Sequence, residues 1–341
     1  MRRAALHVLL VALVATGCSR SSPAPGAPSQ RVTYRVVDET GRVSTTTVDV
    51  SPPYRARSLN RDGSGAVTGG FAWDERGLYS ITSAGTAQTA SIAPGFPGPY
   101  SGLAVALPVA ERQHLVRRGG SSSVLGLDCE QWLSAEPLDG APFAPVSPDA
   151  RTTSCVDAEG RLLAETWYVG GKLVRTRTAT GVGPGPSLAG AALYEGPPTP
   201  LPSSGTGFVV RDSPRAQLLR LLQVPVPSDP TGFRPDASVA VLDLDAAATG
   251  FTREAGVLTW LRGVDVVVLR LERDLSGSSR GTVRGAPVDL GVLGTGHLEP
   301  VLAGLRVVID GPTGLRALVT ADLPEDELLA WARTLRFRPS P

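Results

Sequence analysis

From Arg31 onward, the chain is divided into short runs in which apolar and polar residues alternate, with turns between them. In the first run Val32, Tyr34 and Val36 alternate with polar residues, which is the period of a strand with one buried face. The chain has 39 glycines and 30 prolines in 341 residues, and these residue types favour tight turns. The pattern therefore predicts an α+β fold that is mostly antiparallel β.

Two segments carry the clearest expectations. Residues 154–180, "SCVDAEGRLLAETWYVGGKLVRTRTAT", predict three strands joined by hairpin turns at residues 158–160 and 170–171. Near the end of the chain, Pro324 is followed by an acidic first turn, and apolar residues then recur at helical spacing. The helix and its core-facing stripe are predicted from Leu328, Trp331, Ala332 and Leu335. A further helix is expected over Leu103 to Arg118, with Pro108 kinking it or marking its first turn.

Composition shifts divide the chain into five parts. Residues 1–17 have two arginines and a short uncharged apolar run, typical of a secretory signal peptide. Residues 18–30 hold Cys18 and a Ser/Pro/Ala/Gly tract that cannot build a core. We expect a first domain over 31–180, a Pro/Gly-rich linker over 181–207 and a smaller α+β domain over 208–341.

Cys18 lies at the boundary between the apolar run and the tract. Ala15, Thr16 and Gly17 precede it, and this stretch resembles the lipobox of bacterial lipoproteins, although Leu is more usual where Ala15 stands. The resemblance implies cleavage before Cys18, lipid attachment to it, and a location at the outer face of the cytoplasmic membrane. The alternative is an ordinary signal peptide with an incidental cysteine.

Cys129 and Cys155 remain as an even pair if Cys18 carries lipid. An oxidising extracytoplasmic location favours a disulfide between them. The alternatives are two unpaired core thiols or half of a metal site, but metal sites need more ligands at short spacing.

Charge and motifs exclude several functions. Lys and Arg total 33 against 32 for Asp and Glu, so no net field favours nucleic acid. The G-x-S-x-G match at residues 277–281 lacks a following helical pattern. His114 and His297 are expected on a solvated face and in a turn, and Asp243 and Asp245 on an outward strand face. We expect no catalytic residue, no metal and no cofactor.

Lys172 is the only lysine in the chain. This bias toward arginine indicates a GC-rich genome, and such genomes are associated with actinobacteria.

Three stretches carry a resemblance to a known family. "GFAWDERGLYSIT", "VLGLDCEQW" and the C-V-D-x-x-G-x-L-L-x-E-x-W pattern beginning at Cys155 are similar to the LolA-like fold, especially as it is used in RseB/MucB-type regulators of extracytoplasmic sigma factors. "DPTGF" and "LPEDELLAWARTL" resemble the second domain of that layout. The resemblance implies an unclosed β-barrel with a covering helix, a binding rather than enzymatic role, and an envelope partner such as an anti-sigma factor.

A lipid carrier is the alternative function, with an acyl chain held in an apolar trough of the first domain. Alternating strands bury one face each, and a single curved sheet cannot cover its own inner face. The cover would be a helix, a ligand or the loop "APGFPGPY", whose apolar residues are interrupted by glycine. We therefore expect ligand contacts from Pro94, Phe96, Pro97 and Tyr100. In the other interpretation, these residues fill the core and leave no cavity.

Overall fold

The computed structural model describes residues 29–52, 55–74, 77–90, 102–138, 143, 151–194, 199, 208–212, 227–243, 254–263, 265–273, 285–311 and 314–337. Most of these residues lie in strands, and every pair of neighbouring strands is antiparallel, which confirms the predicted fold class. The expected signal peptide, Cys18 and the expected tether up to residue 28 lie outside the described residues, and Gln30, the last residue of that tether, begins β1.

Eleven strands form the first sheet, in the order β6-β5-β4-β3-β2-β1-β11-β10-β9-β8-β7. Since β6 and β7 lie at opposite ends of this order, the sheet is not closed into a barrel. Its strands are β1 Gln30–Asp38, β2 Val43–Ser51, β3 Arg55–Arg61, β4 Val67–Asp74, β5 Gly77–Thr82, β6 Gly85–Ala90, β7 Val116–Val124, β8 Leu127–Ser134, β9 Thr152–Val156, β10 Leu162–Val169 and β11 Lys172–Pro184.

The second sheet has eight strands in the order β12-β13-β14-β15-β19-β18-β17-β16. They are β12 Phe208–Asp212, β13 Arg234–Asp243, β14 Glu254–Arg262, β15 Asp265–Arg273, β16 Ala286–Asp289, β17 Thr295–Val301, β18 Gly304–Asp310 and β19 Leu315–Ala321. In the described part of the chain, two α-helices accompany the sheets, α1 Leu103–Arg112 and α2 Glu325–Ala332.

Helix α2 packs on the second sheet as its sequence predicts. Leu328, Trp331, Ala332 and Leu335 are all buried in the second core. Trp331 packs edge to face on Trp260, with ring centroids 5.2 Å apart, and its indole N–H donates to the Ser228 carbonyl at 3.0 Å. The stripe of apolar residues at helical spacing thus identified the helix and its buried face.

The first sheet buries parts of both faces. Val32 and Val48 are register partners on one face and lie in the core that includes α1. Val48 also pairs with Ser58, so the next residue, Leu59, points to the opposite face. There Leu59 lies in a separate core with Leu188 and Leu193, and the chain after β11 therefore covers the back of the sheet.

That covering segment is held by charged groups as well. Asp49 is fully buried and accepts hydrogen bonds from Arg31 at 2.6 Å and from Arg57 at 2.9 Å. Arg57 also donates to the Ala192 carbonyl at 2.8 Å. The linker expected over 181–207 accordingly starts inside β11, and its residues up to Leu193 belong to the first unit.

The helix expected over Leu103 to Arg118 is shorter in the structure. It ends at Arg112, and His114 then adopts a left-handed backbone with φ 60°. From Val116 the chain pairs with β8 instead. The Arg and Leu residues after Arg112 are good helix formers, but strand pairing with β8 overrides that propensity. Pro108 lies inside the helix rather than in its first turn.

Candidate functional site

Helix α1 is the element that builds the candidate site. It connects the two edge strands β6 and β7 of the first sheet. Leu103, Leu107 and Ala110 are buried in the core of that sheet, whereas Val109 is buried in the core of the second sheet. Contacts on two sides hold the helix in place over β7, β8 and β9.

A cleft of about 630 Å³ lies between α1 and these strands. This volume is within the range of small-ligand sites in proteins, about 300–1,000 Å³. Its apolar lining comes from both sides, with Leu103, Leu107 and Pro108 from the helix and Trp132 and Val156 from the sheet. The expected covering helix is therefore present, and it leaves open space beneath it.

Trp132 forms the largest apolar part of the wall. Its side chain is buried, and the guanidinium of Arg118 lies 4.8 Å from its ring centroid, a cation–π distance. Arg118 also pairs with Glu130 and, at 3.3 Å, with Glu111 of α1. These ion pairs are exposed and contribute little stability, but they link the helix to the wall of the cleft.

The disulfide predicted between Cys129 and Cys155 is present and belongs to the same wall. Their Cα atoms are 5.4 Å apart, and they join the neighbouring strands β8 and β9. Cys129 lines the cleft. The cross-link therefore fixes the spacing of the two strands on which the ligand-facing side chains stand.

The polar part of the lining is acidic. It includes the carboxylates of Asp128, Glu130 and Asp157, with Ser121 and Ser122 from the edge strand. Burial raises the pKa of Asp157, and hydrogen bonds from Arg161, whose backbone N–H donates at 2.8 Å and whose Nε donates at 2.6 Å, oppose that rise. The rim of the cleft thus carries more negative than positive charge.

The other residues singled out from the sequence take no part in this cleft. Pro94, Phe96, Pro97 and Tyr100 lie outside the described residues, as do residues 277–281 and Asp245. His114 is exposed just after α1. His297 lies in strand β17 rather than in the expected turn, and a nitrogen of its ring lies 3.1 Å from the Gly285 carbonyl. Asp243 ends β13.

Sequence reasoning missed the acidic rim and the tryptophan wall. Asp128, Glu130 and Trp132 all lie within the quoted stretch "VLGLDCEQW", where they were assigned only to a strand. The expected disulfide was a signal for this acidic cluster, because a bond between Cys129 and Cys155 brings their neighbours Asp128, Glu130 and Asp157 close together. The position of α1, which makes these side chains line a cleft, could not be anticipated. Among the described residues, no group of three or more His, Cys, Asp or Glu side chains could hold a metal ion.

Comparison with known proteins returns solved structures only. No protein-family model matches the chain. No curated protein matches it either. Structures titled "Crystal structure of MucB in complex with MucA(peri)" and "The complex structure of Pseudomonas aeruginosa MucA/MucB" are similar at 15% and 14% identity. Their TM-scores are 0.30 and 0.31; 92% and 93% of this chain and 94% and 95% of those chains are covered.

A LolA superfamily protein from Nitrosomonas europaea is also similar, at 9% identity and a TM-score of 0.20, over 46% of this chain and 86% of that one. At such identities no residue's role transfers to this chain. No helix in the described part of the chain is both long and apolar enough to cross a membrane.

Proposed function

We propose that this chain is an extracytoplasmic lipoprotein that acts as a binding or sensor module of the cell envelope, with the cleft under α1 as its binding site. The observation that carries the proposal is the cleft itself. It has an apolar floor, an acidic rim and a disulfide-braced wall, and it lies under a helix that contacts both sheets. A partner in this cleft would touch the element that joins the two units.

The proposed partner is an envelope protein such as an anti-sigma factor. The motifs at residues 70–82, 124–132 and 155–167 support this choice through their resemblance to RseB/MucB-type regulators, and MucB was itself solved in complex with MucA. A ligand that shifts α1 would also change the contacts that this helix makes with the second sheet. Such a shift is a physical means by which partner binding would regulate the protein.

Site-specific crosslinking in cells tests this function. A photo-crosslinking amino acid at Ala104, which lines the cleft, should trap one envelope protein on irradiation. The same group at Val292, which is 79% exposed on the second unit, serves as the control and should not trap that protein. Equal trapping from both positions, or none from Ala104, would contradict the proposed site.

A lipid carrier is the second candidate, favoured by the apolar lining from Leu103, Leu107 and Trp132. Each buried CH₂ of an acyl chain would contribute about 0.8 kcal/mol, so a carrier should retain lipid through purification. Native mass spectrometry of the protein should then show an adduct of lipid mass that organic extraction removes. A bare protein that also fails to take up a fluorescent fatty acid excludes the carrier.

The membrane anchor is a separate part of the proposal and has its own test. The twelve residues after Cys18 can extend about 40 Å, enough to hold the folded units clear of lipid headgroups. Replacing Cys18→Ala should release the protein from the membrane fraction or block its processing. Unchanged membrane retention with normal cleavage would exclude lipidation at this cysteine.

A further inference from the structure

Strand β7 is an open edge of the first sheet beside the cleft. It has nine residues, Val116–Val124, and contains no proline. No strand among the described residues pairs with its outer side. The opposite edge is different, since Ala87 of β6 is bridged by Thr199. Edge strands usually carry protection against pairing with another chain, and the first part of β7 has it, in Arg117, Arg118 and a register shift between Arg118 and Gly120. The part after that shift has no charged residue and no proline, so this is the part of the edge that is open to another strand.

The hairpin turn between β7 and β8 determines which groups of the edge are available. Leu125 and Gly126 both have a left-handed backbone, with φ 57° and 76°, as a two-residue type I′ turn requires. The pair that closes such a turn, Val124 and Leu127, is hydrogen-bonded, and bonded and non-bonded pairs then alternate. The backbone N–H and C=O groups of Ser123 and Ser121 therefore point away from β8.

Side chains along this edge leave room for a second strand. Between Gly119 and Ser123 every residue is glycine or serine, and a Cβ added at Gly120 would meet nothing within 4 Å. Ser121 and Ser122 also line the cleft. An extended chain paired with β7 would thus run along the cleft, with every second side chain on the side of the cleft.

Charge on the rim points to the composition of that chain. Asp128 forms no ion pair or hydrogen bond within the part of the chain that the structure describes, whereas Asp157 is already paired with Arg161. Arg118, on the neighbouring strand β7, is committed to Glu130 and Glu111. A basic residue on the bound chain would find an available carboxylate at Asp128, beside an apolar floor suited to an aliphatic side chain.

We infer that β7 and the cleft bind an extended peptide segment of a protein partner by strand addition, with an aliphatic side chain in the cleft and a lysine or arginine against Asp128. The inference rests on the proposed function and specifies its ligand. Main-chain hydrogen bonds would supply affinity, and the cleft and Asp128 would supply selectivity, as in other peptide sites formed at a sheet edge.

Selection from a library of random twelve-residue peptides, using the purified mature chain, provides the probe. The selected peptides should share an aliphatic residue and a basic residue at positions of alternating spacing. Ser123→Pro removes an outward N–H and should weaken binding at least tenfold, whereas Ser123→Ala keeps the N–H and should stay within twofold. Asp128→Asn should weaken binding and reduce its dependence on salt. Selection of no peptide, or equal affinity for the Pro and Ala variants, overturns the inference.

A second measurement leaves the protein unchanged, so that folding of the proline variant does not decide the outcome. The selected peptide is made in two N-methylated versions. In one version the methylated N–H groups are those that face β7, and in the other they are the alternate N–H groups that point away from it. Only the version that blocks the groups facing β7 should lose affinity; equal loss or equal retention by both overturns strand addition. A fatty acid is also added, at a lipid-to-protein ratio that fills the cleft. If it displaces the peptide from the wild-type protein, and if the β7 variants bind this lipid as well as wild type does, the cleft is assigned to lipid instead. If crosslinking from Ala104 still traps an envelope protein while these peptide tests fail, the binding function stands and strand addition does not.

Discussion

Asp157 is a carboxylate on which burial and hydrogen bonding act in opposite directions. Burial is the larger influence and raises its pKa above the ordinary value, while Arg161 lowers it. The native state therefore holds the Asp157 proton more tightly than the unfolded chain does. The free energy of unfolding should fall as pH rises from the unfolded pKa, about 4, through the raised native pKa, because the unfolded state loses its proton first.

Replacing Asp157→Asn should remove this contribution and retain an oxygen that accepts the backbone N–H groups of Glu159 and Arg161. Urea unfolding of both proteins between pH 3.5 and pH 7 measures the difference. Wild type should lose stability relative to the variant as pH rises across that window. Parallel pH profiles for the two proteins would contradict the raised pKa.

Tyr34 is a second residue whose polar atom is buried in the core. Its hydroxyl donates to the Leu162 carbonyl at 2.5 Å, and the guanidinium of Arg177 lies 5.1 Å from its ring centroid. Tyr34→Phe leaves the carbonyl without this donor and should lower the free energy of unfolding by about 1–3 kcal/mol. Tyr168→Phe, at an exposed hairpin position, is the matched control and should change stability by less than about 0.5 kcal/mol.

At the scale of elements, prediction from sequence succeeded where local pattern and packing agree. The stripe at Leu328, Trp331 and Leu335 marks α2 because one helix face meets one core. The β9–β11 meander has its turns at the expected glycines, with Gly160, Gly170 and Gly171 at positive φ.

Prediction failed where pairing partners are distant in sequence. The expected helix wrongly includes the first three residues of β7, Val116 to Arg118, because Leu115 and the two arginines favour helices locally, and pairing with β8 makes this segment a strand. Strands β12, β16 and β17 were not predicted; β16 has four residues and contains Pro287, and β17 contains Pro300, which weakens any strand signal. An apolar trough with a covering helix was expected, but the position and lining of the cleft could not be predicted, because they depend on how α1 lies across β7, β8 and β9.

The disulfide is the element-scale feature with the most direct test. Closing a loop of 26 residues should contribute about 3 kcal/mol in the chain-entropy model. The double replacement of Cys129→Ser and Cys155→Ser should lower the unfolding free energy by this order and weaken ligand binding in the cleft, because β8 and β9 lose their cross-link. Reducing agent should destabilise wild type and leave the double variant unchanged; two freely alkylatable thiols in the secreted wild type would refute the bond.

At the scale of the whole molecule, α1 and the residue after it link the two units through side-chain contacts. Val109 lies in the second core, Arg112 pairs with Glu325 at the start of α2, and the Gln113 amide donates to the Leu298 carbonyl at 2.8 Å. Gly102, just before the helix, lies against Ala303 and Gly304 in the turn between β17 and β18. The two predicted domains are therefore joined through side chains as well as through residues 181–207.

Cutting the chain within 201–207, at an inserted protease site, should consequently leave the two fragments associated. The first fragment contains α1, whose contacts with the second sheet do not depend on an intact linker. Gly102→Ala should separate the fragments, since a Cβ at this position would overlap the backbone of Ala303 and Gly304. Gly181→Ala is the matched control, because its Cβ would meet nothing within 4 Å. Size-exclusion chromatography after cleavage should give one peak for wild type and Gly181→Ala, and two for Gly102→Ala. Two peaks from wild type would mean that the linker, and not α1, keeps the units together.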